Sequence, residues 1–252
     1  MKLSTLFLYS SLLLGLTQTS AMGFTIDLFT DANDTYPSTS IPYQKIEATG
    51  VFGSTTATTV THTGLNDVLW GQRQLDLTVS SSEIGAGTIE VFGSPLTKAS
   101  INSDSSATVD LAKFTWGSDD NTTYVDITDS VNGNNDNAFN LTVLKTDLTN
   151  GVDITFTVTD SAGLTGSVSQ NVDSTGTVSF LYQDISNETP SIQLGSIKKI
   201  EMSATNAPEA IDFEIDFLET GEVPFEFSPS MGIILLGSFL GISKLRKKLQ
   251  HG

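Results

Sequence analysis

Alternation with a period of two is the property that most restricts how this chain can fold. Ile211, Phe213, Ile215 and Phe217 stand at every second position, with Asp212, Glu214 and Asp216 between them. Successive side chains of an extended strand point to opposite faces, so Ile211 to Leu218 predicts a strand with one face in a core and the other in water. Leu75, Leu77 and Val79 within Arg73 to Val79 repeat the pattern, as do Phe139, Leu141 and Val143, and Ile154, Phe156 and Val158. Further runs rich in Thr, Val, Ile and Phe lie at Thr88 to Phe92, Ala107 to Phe114, Tyr124 to Ile127, Leu164 to Val172, Thr177 to Tyr182 and Ile197 to Ala204. Roughly ten strands are expected.

Between them lie Gly85-Ala86-Gly87, Gly117 to Asn121, Asn132 to Asn137, Asn150-Gly151 and Ser161-Ala162-Gly163. Gly and Asn tolerate positive φ, and Asp and Ser bond their own backbone, so these segments read as turns. Asn150-Gly151, between two apolar runs, is the strongest hairpin signal. Met22 to Thr63 is less regular and reads as an edge strand plus a loop. No helix is expected in the body. Many short strands at this spacing predict an all-β fold, an antiparallel jelly-roll-like β-sandwich. Phe180, then Ile197-Lys198-Lys199-Ile200-Glu201-Met202, then the acidic alternation to Leu218, is similar to the closing strands of galactose-binding-like jelly rolls. That resemblance alone implies no ligand.

Both ends of the chain differ from this body. Lys2 precedes the largely apolar Leu6 to Leu16, and Thr19 and Ala21 supply small residues at signal-peptidase spacing. Residues 1–21 therefore read as a cleaved secretory signal helix. At the other end, Val223-Pro224-Phe225-Glu226-Phe227-Ser228-Pro229 precedes an apolar run from Met231 to Ile242, and then Lys244, Arg246, Lys247 and Lys248. Twelve apolar positions span about 18 Å as a helix, short of a hydrocarbon core of about 30 Å. Extending the helix from Phe225 through Leu245 reaches the needed length, with Glu226 at one interface and the basic group snorkelling at the other. Those basic residues act as a stop-transfer signal and predict that the C-terminal end stays cytoplasmic, with the body across the membrane. The expected division is 1–21 signal peptide, 22–222 extracytoplasmic β-sandwich and 223–252 sorting tail, with one transmembrane helix in the tail.

The tail resembles the PEP-CTERM sorting signals that exosortases recognise, and the Val-Pro-Phe-Glu-Phe-Ser-Pro wording resembles the cyanobacterial variant called PFE-CTERM. The resemblance covers Val223 to Lys248. It implies export, temporary anchoring by the C-terminal helix, and recognition of Pro224, Phe225 and Glu226 by an integral-membrane exosortase-type enzyme of which this chain is the substrate. It also implies an address at the cell surface or in the extracellular matrix. The wording departs from the commoner Val-Pro-Glu-Pro.

The body agrees with that address. Seven Lys/Arg against 28 Asp/Glu between residues 22 and 222 give a charge of −21. Nucleic acid binding needs a basic footprint, so nucleic acid is not an expected partner. The chain has no cysteine, which excludes disulfides and thiolate metal sites.

Catalytic chemistry is poorly represented, and the chain reads as a non-enzyme. His62 and His251 are the only histidines, and no phosphate loop or His-Glu-x-x-His site is present. Two binding readings stand beside the structural or adhesive one. Asp126, Asp129, Asn134 and Asp136 supply oxygen ligands for an irregular calcium site, although Asn137 and Val143 fill the positions where an EF-hand loop needs glycine and an acid. Calcium is the one cofactor considered. For polysaccharide, Trp70, Trp116 and Tyr124 offer flat rings, with Asp119, Asp120 and Asn121 as hydroxyl partners. The expected role is that of an exported structural or adhesive surface protein, the alternatives being a carbohydrate-binding surface module and a calcium-dependent adhesin.

Overall fold

The structure is a computed structural model, and it describes residues 25–32, 34–35, 42–117, 123–128, 136–146, 151–205 and 211–221. The chain divides between Glu222 and Val223 into two units. The second unit, with the expected sorting motif and the basic residues from Lys244 to Lys248, lies outside the described residues, as does the expected signal segment. No helix among the described residues is long and apolar enough to cross a membrane.

The described residues of the first unit fold as an antiparallel jelly-roll-like β-sandwich. Its strands are β1 Thr25–Asp27, β2 Asp34–Thr35, β3 Pro42–Gly50, β4 Thr55–Thr63, β5 Gln72–Ser81, β6 Gly85–Phe92 and β7 Lys98–Ser103. They continue with β8 Ala107–Gly117, β9 Ala138–Thr146, β10 Val152–Asp160, β11 Thr165–Val172, β12 Gly176–Leu181, β13 Ile197–Thr205 and β14 Asp212–Gly221. Sheet 1 runs β12-β9-β14-β7-β6-β3-β2, with β1 also against β14, and sheet 2 runs β11-β10-β13-β8-β5-β4. Each of the last two strands thus lies inside a sheet. β13 joins β10 to β8, and β14 joins β9 to β7. The C-terminal strands stitch an N-terminal set, β3 to β8, to a second set, β9 to β12, in both layers.

The alternating residues meet between the sheets. Leu75, Leu77, Val79, Phe114, Phe139, Phe156, Phe180 and Phe213 are fully buried in one continuous core. Burying each such side chain stabilises the fold by about 1.5–3 kcal/mol. Phe139 of sheet 1 stacks on Phe156 of sheet 2, with ring centroids 4.8 Å apart and planes 19° apart, and Phe180 meets Phe156 edge-on.

Several expectations change here. β9 and β10 do not form a hairpin around Asn150-Gly151. Gly151 does have a φ of +70°, but β9 belongs to sheet 1 and β10 to sheet 2. Two alternating strands can pair side by side or face each other across a core, and period alone does not distinguish these cases. Gly85-Ala86-Gly87 opens β6 instead of forming a turn, because the glycines lie where the sheets approach. A Cβ on Gly87 would stand 2.6 Å from Val79 Cγ2. Tyr124 to Ile127 makes one isolated bridge, Val125 to Ile197, and no strand. The β12 run ends at Leu181, and a short helix, α1, covers Tyr182–Glu188 where none was expected. The irregular Met22 to Thr63 region holds two nine-residue strands, β3 and β4. In β14 a register shift between Ile215 and Leu218 moves the alternation by one position, so that Leu218 and Thr220 are buried.

Candidate functional site

The two ends of the described body leave from one end of the sandwich. Thr25 pairs with Glu219 and Asp27 with Leu218, and Asp27 also bridges to Val68, in the loop before β5. This end carries every candidate ligand residue that the structure describes.

At its centre β1 is pinned to the opposite sheet. Arg73 of β5 donates from Nε to Asp27 Oδ2 at 2.6 Å and from Nη2 to Asp27 Oδ1 at 2.6 Å. Trp116 Nε1 donates to the same Oδ2 at 2.9 Å, and the Phe29 amide donates to Oδ1 at 2.8 Å. Four donors therefore fill the acceptor positions of one carboxylate. The remaining guanidinium nitrogen, Nη1, donates to Gln44 Oε1 at 2.7 Å, and the Phe29 ring lies 5.3 Å under Arg73. Asp27, Gln44, Arg73 and Trp116 are all fully buried.

This arrangement decides the case of Trp116. Its indole is stacked at 6.0 Å on Phe114 within the core and presents no ring face to solvent, so the sugar-platform reading of Trp116 is corrected. Ala112, Phe114 and Trp116 alternate on the inner face of β8, which puts Trp116 in phase with the core. Trp70 sits in the 3-10 turn Leu69–Gly71 at φ 59°, half-buried against the core. With Leu28, Asn66, Asp67 and Leu69 it lines a shallow, open recess. A strap closes one side of that recess: Thr30 Oγ1 donates to Asp67 Oδ2 at 2.5 Å, and the Asn66 amide donates to Asp31 Oδ2 at 2.7 Å. Tyr124 is 44% exposed at the same end. Asp119, Asp120 and Asn121 lie outside the described residues.

Of the four calcium candidates, Asp129 and Asn134 lie outside the described residues, while Asp126 and Asp136 are brought to one place. Asp126 Oδ1 accepts from the Thr128 amide at 3.0 Å and hydroxyl at 2.6 Å, and the Asp136 amide donates back to the Thr128 carbonyl at 2.9 Å. Asp136 is buried. Its Oδ2 accepts from Thr220 Oγ1, whereas its Oδ1 has no hydrogen-bond partner. Tyr182, at the start of α1, packs edge-on against Phe139 at 4.9 Å, and its buried hydroxyl makes no well-formed hydrogen bond. Burial pushes the Tyr182 phenol well above its ordinary pKa, and the charges of Asp136 and Asp126 push it the same way. Burial also raises Glu219, with Asp136 adding to the effect. Among the described residues, no three His, Asp or Glu side chains gather into a metal-binding group.

His62 is buried on β4 in register with Arg73. Sequence reasoning missed the Asp27–Arg73 pair, although its signal was present. Arg73 stands two positions before Leu75 and shares the phase of Leu75, Leu77 and Val79.

No protein-family model matches the chain, and no curated protein matches it. Solved structures similar to it include the PfGH50B structure, at 15% identity and a TM-score of 0.34, with 77% of this chain and 24% of that one covered. The chain thus spans about a quarter of that structure's length. Another is the family 11 carbohydrate-binding module of the cellulosomal cellulase Lic26A-Cel5E of Clostridium thermocellum, at 8% identity and a TM-score of 0.33, covering 79% and 94% of the two chains. The family 11 module from Clostridium thermocellum in complex with a β-1,3-1,4-mixed-linked tetrasaccharide gives 9% identity and a TM-score of 0.25, covering 77% and 96%.

Proposed function

We propose that this chain is an exported protein delivered to the cell surface or extracellular matrix by an exosortase-type membrane enzyme acting on Val223 to Pro229, and that its β-sandwich is a structural or adhesive body. The observation that carries this reading is the order of segments in the sequence. A signal-like start, an acidic body, a proline-bounded motif, an apolar run and a basic end follow one another without interruption. The body acts by contact and performs no catalysis. Replacing Pro224, Phe225 and Glu226 together by Ala in the native host tests the reading. The variant is expected to stay in the cell membrane while the wild-type body is found at the surface or in the medium, and an unchanged distribution contradicts the proposal.

A calcium-dependent adhesin is the second reading, and Asp136 is the observation that favours it. A buried carboxylate oxygen without a donor, and with no basic partner among the described residues, is stabilised by a divalent cation. The third, a carbohydrate-binding surface module, rests on Tyr124 and Trp70 as ring platforms. It requires that soluble polysaccharide raise the thermal midpoint of the wild-type chain and not that of Tyr124→Ala.

A further inference from the structure

The recess beside Trp70 is built from a side chain that its own backbone disfavours. Trp70 stands at φ 59°, in the left-handed region that a bulky residue rarely adopts, and Gly71 follows at φ 67°. Gly or Asn would make such a turn more readily, and strain of this sort gathers at functional sites. The turn is nevertheless fixed. The Gly71 amide donates to the Val68 carbonyl at 2.9 Å, and the Leu65 amide to the Gly71 carbonyl at 2.9 Å. Leu28 lines the same recess, 37% exposed between the fully buried Asp27 and Phe29. Asp27 bridges to Val68 and accepts from Arg73 and Trp116, so both walls hang on one buried ion pair. A recess of about 380 Å³ is thus formed in advance, with room for one side chain and not for a folded segment.

Its charge is one-sided. Asp67 is an exposed member of the lining, its Oδ2 accepts from Thr30 Oγ1, and no base among the described residues pairs with it. Asn66 commits both its main-chain amide and its side-chain Nδ2 to Asp31 Oδ2, at 2.7 and 3.1 Å, and is left to offer an acceptor. Six of the seven Lys/Arg of the body, Lys45, Arg73, Lys98, Lys113, Lys145 and Lys199, already pair with other acids. A body of charge −21 therefore repels an anion from this recess and steers a cation toward it. The apolar Leu28 and Leu69 suit a methylene stem, the indole suits a flat cation, and Asp67 suits a guanidinium head. Arginine carries all three features in one side chain. The chain uses the same set in its interior, where Arg73 lies on Asp27 with the Phe29 ring 5.3 Å away.

We propose that the Trp70 recess docks an arginine side chain presented by a partner protein, with the guanidinium on Asp67 and against the Trp70 indole and the stem along Leu28 and Leu69. This rests on the reading of the body as adhesive and gives its contact a chemistry. Arginine docking is measured on the purified chain and sorting in the host, so failure of either leaves the other standing.

The test uses the full chain in a neutral detergent at physiological ionic strength. The probe is a fluorescein-labelled tetra-arginine amide read by anisotropy, and tetra-citrulline, its uncharged isostere, is the control. Wild type is expected to bind the arginine peptide about tenfold more tightly than the citrulline peptide. Asp67→Asn keeps an acceptor for Thr30 and is expected to weaken binding about fivefold, and Trp70→Leu about threefold. Asp110→Asn removes one charge from an exposed position on β8 and is expected to change binding less than about twofold. Thermal midpoints equal to wild type show that the variants are folded. The chain has two tryptophans and Trp116 is fully buried, so a change in indole fluorescence on binding reports Trp70. Absence of arginine-peptide binding, or equal affinity for the two peptides, overturns the proposal. Equal losses in Asp67→Asn and Asp110→Asn do so too, since they report only the diffuse field of the body. An indole that responds to soluble hydroxyethylcellulose and not to the arginine peptide overturns it in favour of a sugar platform.

Discussion

Arg73 and Asp27 meet in two parallel hydrogen bonds of 2.6 Å, both side chains fully excluded from water, across the gap between the two sheets. Asp27 ends a strand of only three residues, and that strand is the first described part of the body. The pair therefore fastens the entry of the chain into sheet 1 to the second strand from the edge of sheet 2.

Removing one partner leaves the other as a buried, unpaired charge. Asp27→Ala and Arg73→Met are each expected to cost about 3–5 kcal/mol, and the two together less than their sum, since the double variant buries no ion. Trp116→Phe removes one of four donors and is expected to cost about 1–3 kcal/mol. Urea unfolding of the three variants and the double variant checks both the size and the non-additivity.

The outer face of sheet 2 sets an acid limit. Burial alone would raise Asp76, but hydrogen bonds from Thr59 and Gln74 and the charge of Lys113 outweigh it and hold its pKa below the ordinary carboxylate value. Glu201 is lowered in the same way, against its burial, by Lys199 and Lys113. A carboxylate depressed in the folded state contributes stability above its unfolded pKa and loses it as pH falls through the folded pKa. Lys113→Met is therefore expected to lower the thermal midpoint at neutral pH. The gap to wild type should close as the pH falls below the ordinary carboxylate range, and a gap independent of pH contradicts the assignment.

Gly87 is held by space. A Cβ would stand 2.6 Å from Val79 Cγ2 and 3.2 Å from Val109 Cγ2, both in the core, so Gly87→Ala is expected to cost about 1–3 kcal/mol. Gly53→Ala, at an open turn with φ +70°, meets no atom within 4 Å and tests backbone strain alone.

Calcium is expected to raise the thermal midpoint of the full chain through Asp136. The increment should vanish in Asp136→Asn and be reversed by EDTA. Equal midpoints with calcium and EDTA remove the second functional reading.

Period two told in advance that Leu75, Leu77 and Val79 of β5, Phe139, Leu141 and Val143 of β9, and Ile154, Phe156 and Val158 of β10 are buried. It did not tell which strands are neighbours. β9 and β10 have the same signature, yet they face each other through Phe139 and Phe156. β3 was hidden because Gln44, a polar residue, occupies a core position as a partner of Arg73. Arg73 was itself legible by phase, and so was Trp116, had alternation been allowed to outrank residue type. The convergence of Asp126 and Asp136 depends on how the chain passes between sheets, which no local pattern encodes. The proposed sorting tail is the converse case, a reading that rests on a linear order of residues and on no fold.

The intact mass of the protein recovered from the surface and medium of its native host tests the central claim most directly. A species beginning near Met22 and ending between Pro224 and Phe227 is the predicted result, since it requires both removal of the signal and processing at the motif. A species that still ends at Gly252 contradicts sorting and leaves a membrane-anchored ectodomain.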